Sequence, residues 1–82
     1  MRLNELARRQ SAIVEDVEAH APNDAIARRL GELGFVPGER VEVVAAGPFG
    51  AEPLLVQVGF TRFALRQAEA ARVRLRLPVV PA

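Results

Sequence analysis

Apolar residues recur along this chain with two different periods, and the change of period divides it. Between residues 24 and 33 they fall at Ile26, Leu30 and Leu33, which share one face of a helix while Arg28, Arg29 and Glu32 lie off it. Elsewhere the spacing is two. The run SAIVEDVE reads as a strand with Ile13 and Val17 inward. Val41, Val43 and Ala45 share one face with Glu42 on the other, and Leu54, Val56 and Val58 alternate in the same way. TRFALR puts Phe63 and Leu65 inward and Arg62 and Arg66 outward. RVRLRL, the cleanest alternation, puts Val73, Leu75 and Leu77 inward and Arg72, Arg74 and Arg76 outward.

Breakers separate these runs. Pro22 ends the first strand, and Asn23 or Asp24 can cap the helix predicted at about 24–33 by accepting from a free backbone N–H of its first turn. Gly31 weakens that helix by about 1 kcal/mol relative to Ala, which is more readily understood if another backbone packs against it. Gly34 suits the left-handed residue that ends a helix, a motif that folds Phe35 back onto Leu30. Val36-Pro37-Gly38-Glu39 reads as a type II turn. GPFGAEP reads as a loop, Gly59 as a tight connection, and LNELA and QAEAA as single helical turns; Pro78 ends the last strand. The fold class predicted is mainly β with short helices. About five short antiparallel strands close into a small barrel, because closure removes exposed edges, with one helix docked on it. The domain spans 1–78 and leaves a loose tail at 79–82.

The 82 residues suit one domain with a thin stability margin. With no cysteine there is no disulfide framework, thiolate zinc site, iron–sulfur cluster or cysteine nucleophile. With no lysine there is no P-loop, so GTP binding of that kind is excluded. The net charge is +1 with both signs interspersed, giving no broad field of one sign. No stretch approaches the roughly 20 apolar residues of a membrane span, and MRLNELARRQ has no apolar run for a signal peptide. The expected setting is the cytoplasm, without membrane insertion.

The order and spacing of LGELGFVPGERVEVV, GPFGAEPLLVQV and FALRQAEAARVRL resemble the FeoA family, the ferrous iron transport protein A domain. The residues that carry the likeness are Leu30, Leu33, Gly34, Phe35, Pro37, Gly38, Val41, Val43, Gly50, Pro53, Leu65, Arg66, Glu69, Ala70 and Val73, and the opening LNELARRQSAIVEDV fits as well. The resemblance covers nearly the whole chain. It implies an SH3-like antiparallel β-barrel and a small cytoplasmic, non-enzymatic accessory of bacterial ferrous iron uptake. The implied partner is the cytoplasmic part of FeoB, the membrane ferrous-iron transporter that carries a GTP-binding domain. Related domains also close metal-dependent repressors of the diphtheria toxin repressor family; this chain lacks their helical DNA-binding part, so the alternative reading there is a detached regulatory domain of such a repressor.

Candidate chemistry is sparse. His20 has no serine–aspartate set around it that would suggest a triad. If the first strand runs on, Asp16, Glu18 and His20 lie on one face, and imidazole with carboxylates suits zinc or iron(II). The set is short of ligands, so a second chain would complete it, giving a metal-bridged homodimer or a metal sensor. No cofactor is required. Arg72, Arg74 and Arg76 could draw phosphate, but carboxylates lie nearby in sequence and base-stacking aromatics are lacking, so nucleic acid is not expected. Without Tyr or Trp there is no aromatic groove for Pro-rich peptides. Phe35, Phe49 and Phe60 each sit beside a glycine, and either cap the barrel or anchor a partner. The expected partner-binding residues are Arg28, Arg29, Leu30, Gly34, Phe35, Pro37 and Gly38.

Overall fold

The computed structural model describes residues 1–50 and 52–77, apart from the side chain of Phe49; the expected tail at 79–82 and the role expected of Phe49 lie outside what it describes. Five strands run in one antiparallel sheet: β1 Ser11–Val17, β2 Arg40–Phe49, β3 Glu52–Val58, β4 Thr61–Leu65 and β5 Val73–Arg76. A 3-10 turn at Leu3–Glu5 precedes them, helix α1 spans Ala25–Leu33, and a single turn α2 spans Gln67–Ala70. The strand order is β4-β3-β2-β1-β5. Among the described residues β4 and β5 do not pair, so the sheet keeps two edges, and the closure expected to remove them is not made by hydrogen bonds.

The helix and its ends match the pattern. Asp24 is the cap: its carboxylate accepts from the N–H groups of Ile26 at 3.0 Å and Ala27 at 3.2 Å. Gly34 stops the helix at φ 115°, and Phe35 N–H donates to Leu30 C=O at 3.1 Å, closing the predicted fold-back. Gly38 has φ 92° and Glu39 N–H donates to Val36 C=O at 3.1 Å, as a type II turn requires. A Cβ placed on Gly31 would meet nothing within 4 Å, so the expected close backbone is absent among the described residues.

The core joins Leu3, Val14, Leu30, Phe35, Val41, Val56 and Val73, residues spread over the whole chain. Three expectations about the strands are corrected. In β1, Ala12 and Val14 point inward and Ile13 is only half-buried. The register against β5 shifts between Val14 and Asp16, and this irregularity returns Val17 to the core side. A strict alternation from Val17 back to Ile13 therefore assigns the wrong face. Leu77 lies one residue past β5 and is 52 % exposed. The GPFGAEP segment is mostly strand, because β2 and β3 extend to pair Phe49 with Glu52. There Gly47 is needed for close approach, since a Cβ would overlap the Glu52 carbonyl. The Glu52–Pro53 peptide is cis. Gly59, at φ 59°, opens the two-residue loop between β3 and β4 and leaves Phe60 fully exposed.

Candidate protein-interaction surface

The two edges of the sheet meet different surroundings. Beyond β5, the N-terminal segment acts as a short added strand: Leu75 N–H donates to Met1 C=O at 2.7 Å, and Arg2 forms a bridge with Arg74. The Arg2 guanidinium holds this segment down, donating to Ala71 C=O at 2.8 Å and to Glu18 at 2.6 Å. Arg74 pairs with both carboxylate oxygens of Asp16 at 2.5 and 2.6 Å. These contacts set the electrostatics. The hydrogen bond from Arg74 holds the Asp16 carboxyl below the usual range, and the bond from Arg2 does the same for Glu18. The Arg74 guanidinium is pushed up by the bond to Asp16.

The predicted metal residues lie on this side. Glu18 Oε1 is 3.5 Å from His20 Nε2, so these two come together, but Asp16 is engaged by Arg74 instead. Among the described residues no group of three or more His, Cys, Asp and Glu side chains is placed to hold a metal. The donor set of one chain therefore does not fit a zinc or iron(II) site on its own. His20 N–H donates to Asp24 at 2.8 Å, and Arg72 donates to the same carboxylate at 3.1 Å. Asp24 thus ties the loop after β1, the start of α1 and the start of β5 together. Its carboxyl is held low chiefly by the His20 N–H, then by that of Ala27, against a smaller opposing effect of burial.

The β4 edge faces a groove of about 770 Å³ whose other wall is α1. Its apolar lining includes Ile26, Leu33 and Phe63, and Arg29, Arg62 and Arg66 stand around it. Phe63 packs on Phe35, with ring centroids 6.2 Å apart, which fixes the groove floor to the core.

The partner residues expected from sequence divide sharply. Phe35 is 1 % exposed and Leu30 is 2 % exposed, so both belong to the core and offer a partner no surface. The fold-back at Gly34 that lays Phe35 on Leu30 carries it inward. Arg28, Arg29, Pro37 and Gly38 are exposed and Gly34 is half-buried. The expected contact surface, the helix DAIARRLGELG and the Phe35–Gly38 junction, contains Ile26 and Val36, but neither was singled out; they are 41 % and 40 % exposed, although Ile26 stood on the apolar face of the helix. Sequence reasoning missed the β4 edge.

A fold in which α1 caps one side of a five-stranded sheet, with a FeoA-type motif order, is matched along residues 1–77 by the model of the FeoA domain. The chain belongs to the FeoA family. It is similar to the FeoA of Stenotrophomonas maltophilia, at 64 % identity over 93 % of this chain and 89 % of that one, with a TM-score of 0.86. That protein was solved with zinc and is described as a prokaryotic SH3 domain protein and a candidate activating factor of ferrous iron transport. FeoA of Chlorobium tepidum matches at 30 % identity over 96 % of this chain and 71 % of that one, with a TM-score of 0.81. IdeR of T. acidophilum shares the fold alone, at 15 % identity and a TM-score of 0.76 over 95 % of this chain and 34 % of that one. No curated protein sequence matches the chain significantly. Among the described residues no helix is long and apolar enough to cross a membrane.

Proposed function

We propose that this FeoA-family chain is a non-enzymatic cytoplasmic module of ferrous iron uptake that acts by binding the GTP-binding cytoplasmic domain of a FeoB-type transporter. The observation that carries the reading is the exposed side built by α1 and the turn after it. Arg28 and Arg29 are exposed on the helix without a carboxylate partner among the described residues, and Ile26 of the same helix and Val36, Pro37 and Gly38 of the turn are exposed as well. Exposed arginines and apolar residues on a rigid element suit a protein partner, because arginine is among the residues that carry most contact energy and depletion of other charges marks the core of an interface. The family match over residues 1–77 and the description of the Stenotrophomonas protein support the iron-transport setting.

The test is a pull-down with the transporter's cytoplasmic domain. Arg28→Glu with Arg29→Glu, and separately Val36→Asp, are expected to reduce capture at least fivefold while the circular dichroism spectrum is unchanged. Full capture by both folded variants would overturn the proposed surface.

A second reading has its own observation. His20 and Glu18 lie 3.5 Å apart on an accessible stretch, and a relative was solved with zinc. Two such pairs from two chains would give four ligands, enough for a zinc-bridged homodimer or a metal-sensing one. Sedimentation with and without zinc or iron(II), on wild type and His20→Ala, tests it: a metal-dependent mass lost in the variant is the expected result.

A further inference from the structure

The groove between α1 and β4 runs along an edge, and this decides what it can take. It is lined by residues from both faces of β4, Phe63 and Leu65 from one and Arg62 and Ala64 from the other. A cavity over a sheet face would meet only alternate residues. The two-residue loop Gly59–Phe60 closes on the pair Val58–Thr61, and successive antiparallel pairs alternate between bonded and non-bonded. Arg62 and Ala64 therefore aim their N–H and C=O groups away from β3 and into the groove. Among the described residues no other backbone takes them up, whereas the β5 edge is covered by the N-terminal segment.

The charge of the groove selects among extended chains. Arg29, Arg62 and Arg66 make no ion pair among the described residues, and the only carboxylate in the lining is Glu69, which accepts from the Arg66 N–H at 2.8 Å. The lining thus offers three arginines against one acid. Between them Ile26, Leu33 and Phe63 give an apolar wall facing one side of an added strand. We infer that β4 receives an extended partner segment as a sixth strand, with apolar residues toward Ile26, Leu33 and Phe63 and acidic residues toward the arginines around them. Five residues of such a strand span about 17 Å, the length of β4 itself. The inference rests on the reading of the chain as a protein-binding module and names the chemistry of what it binds.

The probe is a capped nonapeptide of alternating Glu and Val, compared with its Lys-Val counterpart. The protein is isotope-labelled so that single amides are followed by NMR. The acidic peptide is expected to bind at least tenfold more tightly than the basic one and to slow exchange of the Arg62 and Ala64 amides at least tenfold, leaving that of Leu75 unchanged. Ala64→Pro removes an N–H that makes no ladder bond, which an edge strand tolerates, and should abolish binding. Should that variant unfold, Arg62→Glu with Arg66→Glu carries the same expectation. Equal binding of the two peptides, absence of binding up to millimolar peptide, or binding without amide protection would overturn the edge site. Because the probe contains no transporter, its failure is separate from the pull-down result.

Discussion

The β5 and β4 edges of one small sheet have been treated in opposite ways. At β5 the chain spends its own N-terminus as a cover: Met1 and Arg2 pair with the strand, and Leu3, fully buried, pins that cover to the core. At β4 the described residues leave the backbone groups of Arg62 and Ala64 open beside a groove lined by arginines. Exposed edges invite uncontrolled pairing, and natural domains blunt them with charge. Here the covered edge is a matter of stability, and the charged open edge is a matter of recognition. Substitutions on the first side should therefore unfold the protein, and those on the second should change what it binds.

The largest effect is expected at the cover. Leu3→Ala opens a cavity under the N-terminal turn and should cost about 3 kcal/mol, as truncations of buried leucines do; chemical denaturation measures it. A cost below about 1 kcal/mol would mean that the N-terminus does not seal the β5 edge.

Next comes acid. Asp16 and Glu18 on the covered side, and Asp24 beside them, have carboxyls held below their ordinary range. Groups depressed by folding stabilise above their unfolded value, near pH 4, and that contribution disappears as pH falls through the lower folded value. Stability should thus be level from neutral down to about pH 5 and decline below it. Asp16→Asn with Glu18→Gln should flatten the acid limb seen in thermal melts, and an unchanged limb would remove these pairs from the account.

A smaller, opposite change is expected in α1. Gly31 has open space where a Cβ would go and no positive φ, so Gly31→Ala should raise stability by about 1 kcal/mol. If this substitution also blocks transporter binding, the partner's backbone packs where the side chain now stands. The smallest change is at Ile26, already 41 % exposed. Ile26→Ser should shift stability by no more than about 0.5 kcal/mol while weakening partner capture severalfold, which would separate the two edges cleanly.

Much of this architecture could be read from residue order. The helix with its Asp24 cap, the Gly34 stop, the Pro37–Gly38 turn and the inward sets of β3 and β4 all follow from period and punctuation, which are local properties. What could not be read depended on pairing. The irregularity between Val14 and Asp16 reverses the face of β1, and only the partner strand reveals it. Phe35 looked like a surface anchor because it follows a glycine, yet the same left-handed turn points it into the core. Arg29 was legible as a surface residue. The β4 edge was not, because nothing in TRFALR tells which strands flank it; that knowledge arrives with the order β4-β3-β2-β1-β5.

The account rests most heavily on the claim that the α1–β4 side, and not the β5 side, meets the partner. Amide chemical-shift mapping of the labelled protein, titrated with the transporter's GTP-binding cytoplasmic domain, tests it directly. The expected result is perturbation centred on Arg28 and Arg29 of α1 and on Arg62 and Ala64 of β4, with Arg2, Arg74 and Leu75 unmoved. Perturbation centred on Arg2 and Arg74, or no perturbation at saturating partner, would contradict it.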